Sequence, residues 1–126
     1  MLTDSDLVAF VGSTDLARSR AFYSDVLGLH CTDENPYACV FDSNGTMLRV
    51  TAVAELPPVP QTVLGWHVGE IAVSIDALVS RGVTFMRPDG IDQDDRGIWT
   101  TPSGEQVAWF TDPDGNTLSL TQFSGA

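Results

Sequence analysis

The side chains with chemistry to offer are few and scattered. Cys31 and Cys39 stand eight positions apart, outside any CxxC or Cys/His spacing, which argues against a zinc site or a disulfide framework and leaves them as buried or half-buried thiols. No Ser/His/Asp arrangement, P-loop or GxGxxG is present, so nucleophilic catalysis has no support in the sequence. Histidine exchanges protons around neutral pH, which makes His67 a candidate acid or base; with no nucleophile or acid partner in the pattern, the other reading is a hydrogen-bonded wall residue. Ser119 and Arg49 occupy matching places in two similar stretches, "DPDGNTLSL" (112–120) and "DSNGTMLRV" (42–50). Neither suits a divalent ion, because a hydroxyl is a poor neutral ligand and a guanidinium repels the charge.

Those two stretches belong to a larger repeat. Each reads as a hairpin turn entering a strand of alternating polarity. Upstream of the first, "TDLARSRAFYSDVLGL" (14–29) carries Leu16, Phe22, Tyr23, Val26 and Leu27 at helical spacing, with Thr14 or Asp15 as cap and Gly28 as stop. Upstream of the second, "EIAVSIDALVSRGV" (70–83) places Ile71, Ile75, Leu78 and Val79 on one face before Gly82. Extended segments, "LVAFVGS" (7–13) and "TVLGWHV" (62–68), precede the two helices. The chain therefore reads strand, helix, strands, twice over, an α+β pattern of mostly antiparallel sheets with helices on one side. Modules of about 5–54 and 61–123 are expected within a single domain, 1–126, joined by the proline-rich linker "ELPPVP" (55–60). Residues 89–110 add an acidic loop and a further hairpin turning at Pro102-Ser103-Gly104.

Composition narrows the partners. A net charge of −11 with six Lys and Arg makes nucleic acid an improbable partner, since phosphate backbones are held by basic residues. No apolar run is long enough to span a membrane and no secretory signal opens the chain, so a cytoplasmic location is expected. Asn44-Gly45-Thr46 matches a glycosylation sequon, but Asn-Gly reads more simply as a turn.

The helix "TDLARSRAFYSDVLGL", the "DPDGN" turn and the duplicated plan together resemble the vicinal oxygen chelate superfamily, which includes glyoxalase I, extradiol dioxygenases, and fosfomycin- and bleomycin-resistance proteins. The resemblance spans about residues 5–123. It implies two tandem βαβββ modules whose curved, mostly antiparallel sheets form a cleft, commonly in a homodimer. It also implies metal ligands, His or Glu, on the first and last strands of each module. Carried onto this chain, those four positions are Val8, Arg49, Val63 and Ser119. None offers a suitable donor, and their sequence neighbours include no His, Asp, Glu or Cys. The expectation is a chain without a metal and without another cofactor, similar to the bleomycin-resistance branch.

Strand alternation then selects the side chains facing that cleft. Val8, Phe10 and Gly12 share one side with Met47, Arg49 and Thr51; Val63, Gly65 and His67 share the matching side of the second module with Thr117, Ser119 and Thr121. Phe110 and Ala108 join them if residues 112–115 close a four-residue hairpin, in which case Trp66 and Trp109 point to the helices. Arg49 would need a ligand anion or an acidic neighbour, one of Asp92 to Asp95. Trp99, after the loop "DQDDRG", is a stacking platform for a planar ligand or a lid on the core. Phe10, Met47, Arg49, His67, Trp99, Phe110 and Ser119 thus form the expected ligand-binding set. The expected function is sequestration of a small aromatic or cationic compound such as an antibiotic; the alternative is a lyase, isomerase or dioxygenase with a nonstandard metal site.

Overall fold

Alternation of small and apolar residues in VAFVGS makes Val8–Ser13 the first strand, β1. Helix α1, Leu16–Ala21, starts where the Asp15 carboxylate accepts the Arg18 N–H at 3.1 Å. It continues as a π-helical turn, Phe22–Val26, and stops at Gly28, whose φ of 75° an L side chain would resist. Strands β2 (His30–Asn35), β3 (Ala38–Ser43) and β4 (Thr46–Ala52) complete the first module. The structure, a computed structural model, describes residues 1–57 and 59–124; Pro58 of the linker lies outside them.

The first sheet has the order β1-β4-β3-β2, with β1 parallel to β4 and the other pairs antiparallel. Ser43 pairs with Thr46 across a two-residue turn in which Asn44 has φ 47° and Gly45 φ 90°. Both positive values are what a type I′ hairpin turn demands, and Asn-Gly is the pair that meets it at least cost. One face of the sheet packs on the helix. Tyr23 packs against Phe41 with ring centroids 5.8 Å apart and planes tilted by 41°, Ser13 and Ser19 share a buried 2.6 Å hydroxyl bond, and Val11, Leu48 and Val50 add to the core.

The second module repeats the plan with a different outline. Strand β5 (Thr62–His67) leads to helix α2 (Ile71–Val79), whose Ile71 and Ile75 are buried. The first free N–H of the helix, at Ile71, donates to the Gln122 side chain at 2.8 Å, tying the helix to the last strand. Strands β6 (Trp99–Thr100), β7 (Gln106–Thr111) and β8 (Thr117–Gln122) give a sheet of order β5-β8-β7-β6, again with one parallel pair, β5 with β8. Its core contains Phe85, Ile98, Ala108, Phe110, Leu118 and Leu120. The α+β expectation of two βαβββ modules therefore describes the molecule. The chain divides into two compact units, Met1–Pro58 and Val59–Ala126. No described helix is long and apolar enough to cross a membrane.

Candidate functional site

Register fixes which side chains share the face opposite each helix. In the first unit Val8 pairs with Met47, Phe10 with Arg49 and Gly12 with Thr51, and Arg49 in turn with Val40. That face is open at one end, where Val8 is 37%, Phe10 61% and Met47 42% exposed. At the other end the returning chain covers it: a Cβ on Gly12 would lie 2.9 Å from Leu56 and 3.3 Å from Val53. Arg49 is half-buried between these ends. Among the described residues its guanidinium has neither a hydrogen-bond nor an ion-pair partner. The acidic neighbour considered from sequence is thus not found for it among those residues.

In the second unit Gly65 pairs with Ser119 and His67 with Thr121. Ser119 is 7% exposed, and a Cβ on Gly65 would come within 2.8 Å of its hydroxyl, so the glycine leaves the room that Ser119 fills. Across the sheet Ser119 pairs with Trp109, and Trp109 stacks on Trp99 with ring centroids 6.0 Å apart and planes 23° from parallel. Two half-buried indoles therefore form a shelf beside a hydroxyl. A groove of about 300 Å³ adjoins it, lined by Asp92, Gln93, Asp94, Ile98, Trp99 and Thr100. His67 is exposed and meets Phe123 edge-on at 5.0 Å, with no acid–base partner in hydrogen-bond reach among the described residues.

Phe110 and Trp109 correct the sequence expectation. Thr111 pairs with Thr117, so the loop is the five residues 112–116 and not four, and each side chain of β7 faces the side opposite to that expected. Phe110 consequently pairs with Leu118, is fully buried and packs at 5.3 Å on Phe85, while Ala108 pairs with Leu120. Trp109, expected on the helix side, instead lies beside Ser119 on the face where Phe110 and Ala108 were expected; Trp66, opposite Leu120, stays on the helix side. The cause is Asp112: its Oδ1 accepts the N–H groups of Asp114 (2.9 Å) and Asn116 (3.0 Å), and its Oδ2 the Asn116 side chain (2.7 Å). These bonds draw Asn116 into the loop.

The loop before Trp99, "DQDDRG", is clamped from within its own unit. Arg87 donates to the carbonyls of Asp94 and Asp95, and Gln93 to those of Met86 (3.0 Å) and Gly97 (2.7 Å). Arg96 grips Asp76 of α2 through two hydrogen bonds, of 2.9 and 3.0 Å, and that bonding holds the Asp76 carboxyl below the usual range. The cysteines take no part in these faces. Cys39 is buried behind α1, and burial pushes its thiol up, away from a reactive thiolate.

A divalent ion does not fit the four positions at which the resemblance implied ligands. Val8 and Val63 offer no lone pair, Arg49 is cationic, and Ser119 is a neutral hydroxyl against an indole. Val63 also falls at an irregularity in the β5·β8 ladder. Among the described residues no three His, Cys, Asp or Glu side chains gather as a metal site would require.

Solved structures share this fold at low identity. A glyoxalase/bleomycin resistance protein/dioxygenase superfamily member from Sphaerobacter thermophilus DSM 20745 aligns with a TM-score of 0.74 and 21% identity over 98% of this chain and 100% of its own. TnmS3, an antibiotic binding protein from Streptomyces sp. CB03234, gives 0.74 and 24% over 98% and 99%. A lactoylglutathione lyase from Agrobacterium tumefaciens gives 0.73 and 16% over 94% and 93%. No curated protein matches the chain by sequence. The family model described as Glyoxalase/Bleomycin resistance protein/Dioxygenase superfamily matches residues 7–120, nearly the whole of both modules, and the chain belongs to that superfamily.

Proposed function

We propose that this protein binds and sequesters a small aromatic compound without a metal or other cofactor, an antibiotic being one such compound, and that it does so as a cytoplasmic homodimer. The observation that carries the reading is the Trp99–Trp109 shelf beside Ser119, on the sheet face left free by the helix. Two indoles already parallel present a flat apolar surface to a third ring, and stacking of this kind is worth about 0.5–1.5 kcal/mol beyond the area it buries. Each unit taken by itself presents such a face, Phe10, Met47 and Arg49 in the first and His67 with Ser119 in the second, and each mixes apolar with sparse polar groups as small-molecule sites do. The likeness to TnmS3 supports a binding role at the level of fold.

The test is titration of chelator-treated protein with a panel of polycyclic aromatic compounds, followed by tryptophan fluorescence and calorimetry. Saturable quenching that survives added EDTA and falls at least tenfold in Trp109→Ala is the expected result. A stoichiometric metal essential for turnover of any compound would replace this reading with the enzymatic alternative, a lyase, isomerase or dioxygenase.

A further inference from the structure

We infer that Arg49 is the anchor for an anionic group on the ligand, so that the compound bound is an aromatic carboxylate or a comparable oxyanion. The inference rests on the proposed small-molecule site and adds the charge of its occupant. Arg49 stands in the middle of the open face of the first unit, paired with Phe10 on one side and Val40 on the other, with Met47 two residues before it on the same strand. Its stem is half covered and its neighbours are apolar, yet among the described residues its guanidinium has no carboxylate, carbonyl or hydroxyl to bond. The other arginines show what a settled guanidinium does in this protein: Arg20 pairs with Glu34 at 2.8 Å, Arg87 holds two carbonyls, and Arg96 grips Asp76. Two acids share that face by register, Asp42 opposite Met47 and Asp33 opposite Val40, and neither forms an ion pair with it. A planar fork of five donors, set among apolar side chains, matches the two oxygens of a carboxylate. The exposed ring of Phe10 beside it provides contact area for the aromatic body of the same molecule.

Matched probes separate this inference from the reading beneath it. 1-Naphthoate, naphthalene-1-carboxamide and 1-naphthylmethylammonium differ mainly in charge, and their affinities are measured for the wild type, Arg49→Gln and Arg49→Lys. Naphthoate is expected to bind at least tenfold more tightly than the amide. Arg49→Gln should abolish that preference, Arg49→Lys should restore part of it, and the ammonium probe should gain on Arg49→Gln. Circular dichroism and the unfolding midpoint verify that the variants remain folded. Equal affinity for acid and amide, including no binding of either, or a preference that survives Arg49→Gln, overturns the inference. Amide binding with no acid preference leaves the small-molecule reading standing and removes only the anion.

Discussion

The two modules share one plan and fill it in opposite ways. Across the open face of the first, one row reads Phe10–Arg49–Val40; across the second, the corresponding row reads Gly65–Ser119–Trp109. The first puts its bulk on the edge strand, a cation in the middle and a smaller aliphatic group third. The second has no side chain on the edge strand, a hydroxyl in the middle and an indole third. Duplication thus preserves backbone hydrogen bonding while the side chains on the free face diverge. The helix-facing rows stay alike, with Leu48 and Val50 answered by Leu118 and Leu120. Packing constrains one face of each sheet and leaves the other free to vary.

The largest test of that contrast compares two phenylalanines. Phe110 is fully buried against Phe85, so Phe110→Ala should cost about 3–5 kcal/mol in cavity and lost transfer energy. Phe10, more than half exposed, should cost under about 1 kcal/mol on the same change. Urea unfolding midpoints decide between them. A mild Phe110→Ala would mean that β7 has the opposite register and that Phe110, not Trp109, shares the sheet face of Ser119.

Next come the two hairpin acids. Asp112 is buried and accepts three hydrogen bonds, whereas its counterpart Asp42 is exposed and accepts one, from Gly45 at 3.2 Å. Asp112→Ala should therefore destabilise by about 2–3 kcal/mol and Asp42→Ala by about 0.5–1 kcal/mol. Equal effects in thermal melts would show that loop length, and not the carboxylate, sets the register of β7.

This pair also shows where sequence reasoning reaches its end. Helical spacing, the glycine stops and alternation made both modules legible, because each signal is repeated along many residues. The open face of the first module, Val8, Phe10 and Gly12 with Met47, Arg49 and Thr51, was equally legible, since an Asn-Gly turn leaves one register open to its strands. The second face was not. A single loop residue, Asn116, decides the facing of all of β7, and its place depends on hydrogen bonds to a buried carboxylate that alternation does not encode. The Asp-to-Asn spacing within "DPDGN" is the one local signal that pointed to the longer loop. Likewise, nothing in "DQDDRG" announces that Arg87, seven residues before Asp94, and Asp76, twenty before Arg96, hold it in place.

A smaller effect probes the row Gly65–Ser119 itself. Gly65→Ala sets a methyl group 2.8 Å from the Ser119 hydroxyl and should cost about 1–3 kcal/mol, as overpacking does. Adding Ser119→Ala removes the clash, so the double variant should recover most of the loss, and the coupling in a double-mutant cycle measures the contact. Simple additivity would place the hydroxyl elsewhere.

The smallest expected effect is electrostatic and belongs to the second module. Hydrogen bonding from Arg96 lowers the Asp76 carboxyl, and bonding from Ser103 and Thr101 lowers that of Glu105. Since both folded-state values lie below the unfolded ones, each group contributes stability above the ordinary carboxylate range, and that contribution is lost as pH falls through the folded-state value. Both are solvent-exposed, so screening keeps the contributions small. Asp76→Asn should lower the unfolding midpoint slightly at pH 7, and the gap from wild type should narrow as the solution is acidified below the ordinary carboxylate range. A gap unchanged by acid would show that Arg96 steadies the loop through contacts of its stem, and the clamp on the strand carrying Trp99 would then be steric in origin.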